Sequence, residues 1–244
     1  MRAIALLLAL LLPAAGHAGC RDAALGGFGY TVCEVGADDD LRLFQTAPDG
    51  APYGSFDRVN EALDAEGRRL GFAMNAGMYH PDRSPVGLMI EDGKPRGQLV
   101  ISDGPGNFGL LPNGVFCIGH GFSVIESRAF ARSRPECRFA TQSGPMLVID
   151  GALHPRFLPE SPSRYVRNGV GVSADGQRAY FVISHGRVNF TEFARIFRDG
   201  LGLPQALYLD GSISRLYAPA VGRRDFGFPM GPIVGTVVPR DGTG

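Results

Sequence analysis

The sequence has 244 residues, 44% of them hydrophobic and 20% charged, with 24 Lys and Arg against 24 Asp and Glu. That is the composition of a soluble globular chain of one large domain or two small ones, long enough for a real core. The 35 Gly and 18 Pro point to many short strands and turns rather than a helical bundle, and with no Trp a sugar platform has to use Tyr or Phe.

Arg2 and the apolar run Ala3 to Leu12 open the chain, and Gly16-His17-Ala18 offers small residues at the two positions a signal peptidase reads. The expectation is a cleavable export signal over residues 1–18, too short and wrongly flanked for a stable membrane span. The mature chain, residues 19–244, is then periplasmic or secreted. Ala18-Gly19-Cys20 also fits a lipoprotein signal locally, a minor alternative because His17 stands where an aliphatic residue is wanted. Cleavage removes Arg2, so 24 basic residues become 23 against 24 acidic ones, a net charge of −1. A near-neutral mature protein argues against nucleic acid as the main partner. Four cysteines in an exported chain favour disulfides, and they allow three pairings. The closest-in-sequence pairing, Cys20–Cys33 with Cys117–Cys137, is preferred. No CxxC or His-rich spacing suggests zinc.

In chain order, Tyr30–Val35 and Leu41–Gln45 read as strands around the acidic turn Asp38-Asp39-Asp40. Ser55 can cap a helix reaching about Arg69, with Phe56, Val59, Ala62 and Leu63 on one face. Leu70–Asn75 is an apolar strand running into a polar, Gly-containing loop. Strand signals follow at 86–90, 97–101, 114–118, 122–125, 139–142 and 146–149, with a hairpin turn at Glu91-Asp92-Gly93-Lys94. Gly169–Val172 and Ala179–Ile183 flank the turn Ala174-Asp175-Gly176-Gln177. A second helix, Phe190 to about Leu201, starts at an Asn189–Glu192 capping box. Ala206–Leu209 is a buried strand ending in Asp210-Gly211, and Ile213–Tyr217 reads as the next strand across an Asp-Gly turn. No linker, heptad or repeat divides the chain. The prediction is a single α+β domain with a mixed, mostly antiparallel sheet and a few packed helices.

Some motifs fail on context. Gly104-Pro105-Gly106-Asn107-Phe108-Gly109 has GxGxxG spacing, but Pro112 and Gly114 break the helix that a dinucleotide site needs. No GxSxG elbow exists. Asp38-Asp39-Asp40 lacks the spaced ligands of a calcium loop.

Several polar residues share the placement of Asp210, at the ends of apolar strands and beside glycine. They are Asn75 with Gly77, Gln142 with Gly144-Pro145, Arg167 with Gly169 and His185 with Gly186. Each alone has a structural reading, as a loop-satisfying amide, a surface cation or a turn residue. Their order matters more. Asn75-Ala76-Gly77-Met78, Gln142-Ser143-Gly144-Pro145, Arg167-Asn168-Gly169-Val170-Gly171, Ile183-Ser184-His185-Gly186 and Leu209-Asp210-Gly211-Ser212-Ile213-Ser214 follow the order seen in the phosphodiester glycosidase family, which this chain resembles over about residues 70–217. Ala76 and Ser212-Ile213 depart from the family glycines, which bears on substrate more than on fold.

The resemblance implies an exported hydrolase that cleaves a sugar-1-phosphodiester between the anomeric carbon and the phosphate oxygen. Phosphate is a good leaving group, so the demand for a strong general acid falls and the demand for cations and donors rises. On that reading Asp210 stabilises the cationic sugar as base or nucleophile, Arg167 grips phosphate with two prongs, and His185 donates to phosphate or acts as acid. Asn75, Gln142 and Ser214 hold hydroxyls or phosphate oxygens, and Gly77 and Gly144 allow close approach. The partner is a small-molecule or glycan substrate carrying a phosphodiester. No cofactor is expected, no metal ligand is assigned and metal dependence is left open. The competing reading is a non-catalytic binding protein for an anionic cell-envelope glycan.

Overall fold

Alternating apolar segments and glycine turns become seventeen strands and three α-helices in the computed structural model, which describes residues 19–240. The expected export signal, residues 1–18, lies outside the described residues. β1 (Gly19–Leu25) and β2 (Phe28–Gly36) form a hairpin, and β3 (Leu41–Phe44) follows the acidic turn. Helix α1 (Phe56–Asp64) is capped by the Ser55 hydroxyl and buries Phe56, Val59 and Leu63. β4 (Arg68–Asn75), β5 (Met89–Glu91), β6 (Lys94–Arg96), β7 (Gly114–Ile118) and β8 (Phe122–Glu126) lead to α2 (Ser127–Ser133). Then come β9 (Phe139–Ser143), β10 (Met146–Ile149), β11 (Ala152–Leu153), β12 (Asn168–Val172) and β13 (Arg178–Ser184). Helix α3 (Phe190–Arg195) carries the predicted capping box and continues as a π-helical turn over Ile196–Gly200. β14 (Gln205–Asp210), β15 (Leu216–Ala218), β16 (Arg223–Arg224) and β17 (Ile233–Pro239) complete the order.

The strands form three antiparallel sheets, ordered β1-β2-β13-β12-β14-β10-β11, β16-β15-β4-β17-β3 and β6-β5-β9-β7-β8. The α+β class with a few packed helices is therefore as predicted. All three sheets contribute to one core. Phe181 of the seven-stranded sheet packs 5.4 Å from Phe72 of β4 and 5.6 Å from Phe116 of β7, centroid to centroid. On the other face of the seven-stranded sheet, Phe193 and Phe197 cover Leu147 and Tyr208. Successive side chains of β14 thus enter different cores, Leu207 and Leu209 one, Ala206 and Tyr208 the other. A strand covered on both faces reads as a continuous apolar run.

Both preferred disulfides are present, Cys20–Cys33 across the first hairpin and Cys117–Cys137. The bond at Cys20 occupies the thiol a lipid would need, which argues against the lipoprotein alternative. Among the described residues, no helix is long and apolar enough to cross a membrane.

Several boundaries differ from prediction. The first helix stops at Asp64 because Gly67, at φ +66°, turns the chain and Arg68 and Arg69 pair with β17. Residues 97–101 form no strand, since β6 closes its hairpin at Lys94–Arg96. β1, α2 and β17 went unpredicted.

Candidate functional site

Asp210 ends β14 directly opposite Asn168 of β12, where the pairing register shifts. The Asp-Gly step is not a hairpin turn. β14 belongs to the seven-stranded sheet and β15 to the five-stranded one, so residues 211–215 carry the chain between sheets. The crossing is organised by the aspartate itself, whose Oδ1 accepts from Gly211 N at 2.6 Å and Ser212 N at 2.9 Å. Glycine is required at 211 because any Cβ there would overlap the Tyr208 hydroxyl. Asp210 is only 7% exposed. Burial pushes its carboxyl above the usual range, and the backbone N–H groups of Ser212, Gly211 and Ile213 oppose that shift.

One of two mutually bonded buried asparagines holds the carboxylate. Asn75, at the end of β4, donates from Nδ2 to Asp210 Oδ2 at 3.4 Å and to Asn168 Oδ1 at 3.3 Å, while its Oδ1 accepts from Arg215 N at 3.0 Å. Asn168 returns a bond from Nδ2 to the Asn75 carbonyl at 2.7 Å. The Ser214 hydroxyl lies 3.0 Å from Val166 O, 2.9 Å from Asp210 O and 3.3 Å from Asn168 Oδ1. Asn75, Asn168, Asp210 and Ser214 are therefore one hydrogen-bonded cluster, assembled where the two sheets meet. Nearby, the Tyr79 hydroxyl is buried without a hydrogen-bond partner; its pKa is raised by burial first and by the Asp210 charge second.

Arg167 lies beneath this cluster and is fully buried. Its Nε donates to Val188 O at 2.9 Å, Nη1 to the Tyr208 hydroxyl at 3.1 Å and Nη2 to Ser163 O at 2.9 Å, and the guanidinium sits 3.8 Å over the Phe190 ring. It has no carboxylate partner among the described residues, and burial lowers its pKa. The expected two-pronged grip on phosphate finds these donors committed to protein oxygens.

The remaining predicted residues fall elsewhere. Gln142 uses its whole amide on the 88–100 loop and α2: Oε1 accepts from Leu88 N and Val100 N, and Nε2 donates to Val100 O and Ser127 Oγ. Strand alternation turns its neighbours the other way. Thr141 Oγ1 donates to Ala76 O and Ser143 Oγ to Leu209 O, which braces the loops holding Asn75 and Asp210. Gly77 packs against Thr141 Oγ1 and Gly144 against Asn113, positions where a Cβ would come within 2.9 Å and 2.6 Å. His185 Nε2 pairs with Thr31 Oγ1 at 2.9 Å and lies 3.4 Å from Asp22 Oδ1. Thr31 is on β2, three strands from β14, which at ~4.8 Å per strand is roughly 14 Å.

Above the cluster, residues 211–215 floor an open cleft of about 320 Å³, bounded by Tyr165, Val166, Arg187 and Phe228. The Asp210 carboxylate does not itself line this cleft but accepts from the backbone of Gly211 and Ser212, which do, and no His, Cys, Asp or Glu cluster able to hold a metal gathers among the described residues. Sequence reasoning passed over Asn168, Tyr79, Arg187 and Arg215. Asn168 carried a readable signal, a polar side chain at the head of an apolar, glycine-rich strand. The other three have no sequence signal, because only the packing of distant loops brings them here.

A model of the phosphodiester glycosidase family matches residues 68–226. The chain is 35% identical over 212 residues to the uncharacterized protein YigE of Escherichia coli K12, covering 86% of this chain and 82% of that one. The catalytic domain of zebrafish N-acetylglucosamine-1-phosphodiester alpha-N-acetylglucosaminidase, auto-inhibited by its pro-peptide, superposes with a TM-score of 0.63 at 12% identity, over 90% of this chain and 82% of that chain. A Burkholderia pseudomallei K96243 structure titled "Putative exported protein" superposes with a TM-score of 0.53 at 12% identity, over 86% and 74%. At such identities the two structures bear on the fold alone.

Proposed function

The chain belongs to the phosphodiester glycosidase family, and on that premise we propose that it is an exported hydrolase cleaving a sugar-1-phosphodiester at the bond between the anomeric carbon and the phosphate oxygen. The observation that carries this reading is the buried Asp210 carboxylate, held by Asn75 in a network with Asn168 and Ser214, next to an open cleft bordered by Arg187 and Arg215. In the reaction the anomeric C–O bond breaks, its electron pair leaves on the phosphate, and water supplies hydroxide to the sugar and a proton to solvent or phosphate. Asp210 is suited to the positive charge that builds on the sugar ring. Its Oδ1 is pinned by two backbone N–H groups, which leaves Oδ2, lightly held by Asn75, as the reactive oxygen. Asn75 and Asn168 act as positioning residues for that carboxylate.

Purified mature protein offered a panel of sugar-1-phosphodiesters is expected to release free sugar. No turnover by folded protein across the panel would sink the hydrolase reading. One observation favours a binding protein for the same anionic glycan: among the described residues no carboxylate lines the cleft and only Asp210 lies next to it, whereas glycosidases ordinarily use two. Asp210→Asn separates the readings, since it abolishes hydrolysis in an enzyme and spares affinity in a binder. Export is supported by the two disulfides. Cell fractionation is expected to find the processed chain outside the cytoplasm, and an unprocessed cytoplasmic protein would contradict it.

A further inference from the structure

The cleft over Asp210 has two walls of matching chemistry. On one side, Tyr165 and Val188 exchange backbone hydrogen bonds, which places Tyr165 and Arg187 side by side. On the other, Arg215 Nη1 donates to the Phe228 carbonyl and its guanidinium lies against Gly227, where only a glycine fits. Each wall thus offers one guanidinium and one aromatic ring. Both rings are open, Tyr165 at 48% and Phe228 at 78% exposure, and the hydroxyl-bearing residues Ser212 and Ser214 lie on the floor between them.

The charge pattern is specific to this place. Nearby arginines are neutralised, Arg164 by Glu192 and Arg223 by Asp225, whereas Arg187 and Arg215 form no ion pair among the described residues. Four other surface clefts, around Asp38, Asp57, Glu66 and Asp82, each mix acids with bases. The cleft over Asp210 is lined by two cations and no acid. Two guanidiniums without ion pairs on one rim suit an anion, and guanidinium forks match phosphate oxygens.

We propose that Arg187 and Arg215 are the phosphate-binding residues of this site, with Tyr165 and Phe228 as a stacking platform for a ring beyond the phosphate. This rests on the hydrolase reading for its location and gives the anion a different holder from Arg167, which is fully buried and donates from all three nitrogens to protein oxygens.

The test measures binding without turnover. The full mature chain is titrated with inorganic phosphate and with phenyl phosphate by calorimetry, in wild type, Arg187→Ala, Arg215→Ala and Phe228→Ala. Each arginine variant is expected to weaken inorganic phosphate by at least about tenfold. Phenyl phosphate is expected to bind wild type more tightly than inorganic phosphate, and Phe228→Ala to erase that gain. Arg187 makes no side-chain contact that folding depends on, so its variant keeps the measurement clean where Arg215→Ala disturbs the loop. Undetectable phosphate binding by folded wild type, or unchanged binding in Arg187→Ala, overturns the proposal. Phosphate binding that follows these expectations in a protein with no turnover overturns only the hydrolase reading. Turnover whose KM ignores both arginine variants overturns only this one.

Discussion

Arg167 and Arg187 are neighbours in the fold, since Arg167 Nε donates to the carbonyl of Val188, yet they face opposite surroundings. Arg167 is sealed between Phe190 and Tyr208, with its donors turned to carbonyls and a hydroxyl. Arg187 stands exposed at the rim of the cleft, without an ion pair. The same contrast holds among the amides. Gln142 is saturated by loop backbone and the Ser127 hydroxyl, while Asn75 reaches the Asp210 carboxylate and Asn168 braces Asn75. A polar residue at a strand end is thus a brace or a site group according to which side of the strand it occupies, and the residue type does not decide.

The harshest way to break this comparison is Arg167→Ala. It opens a cavity and leaves Val188 O, Ser163 O and the Tyr208 hydroxyl unpaired, an expected loss of about 3–5 kcal/mol in denaturant unfolding. A variant of near-native stability with impaired phosphate binding would instead return Arg167 to the site.

Asp210→Asn tests the other side of the contrast. Turnover is expected to fall by at least about 10²-fold, as when a group aimed at transition-state charge is removed. Stability should move the opposite way. Burial raises the Asp210 pKa above its unfolded value, so its contribution is fully present below the unfolded pKa, near ~3.9, and is lost as pH rises through the higher folded value. Thermal unfolding should therefore show wild type falling behind Asp210→Asn between acidic and neutral pH. A variant that loses ground as pH rises would contradict the raised pKa.

Gln142→Leu is expected to destabilise by about 1–3 kcal/mol for the backbone groups it leaves buried and unpaired, without altering KM. A selective rise in KM at unchanged stability would make Gln142 a substrate contact after all. The smallest stability effect belongs to Arg187→Ala, within about 0.5 kcal/mol of wild type, as for an exposed side chain without partners. Its consequence should appear in binding alone.

Much of this molecule was legible from residues. Short apolar runs bounded by turn residues located β2, β3, β7, β10, β12 and β13 within a residue or two, because strands buried on one or both faces are written in apolar residues over that length. Ser55 and the Asn189–Glu192 pair marked their helix starts through capping chemistry that acts over three residues. Asp210 was identifiable because a carboxylate closing an apolar strand needs partners from elsewhere. The failures were equally physical. β17 lies between β4 and β3, and nothing local announces which strands an apolar run will separate. The loop after Asp210 was read as a hairpin because Asp-Gly commonly makes one, and pairing of β15 with β4 overrode that preference.

Local chemistry was enough for the strands, the helix caps, the closeness-based disulfide pairing and the ordered series of polar strand ends. Which of those ends share a space was settled by strand order, which depends on partners far away in sequence. Asp210 meets Asn168 because β12 pairs with β14, and both meet Asn75 because the chain leaves Asp210 for a strand beside β4. His185, on a strand of the same sheet, turns toward β2 instead. Side-chain direction along a strand and the meeting of distant loops are properties of the assembled fold, and through them one arginine became core and two others became the walls of a cleft.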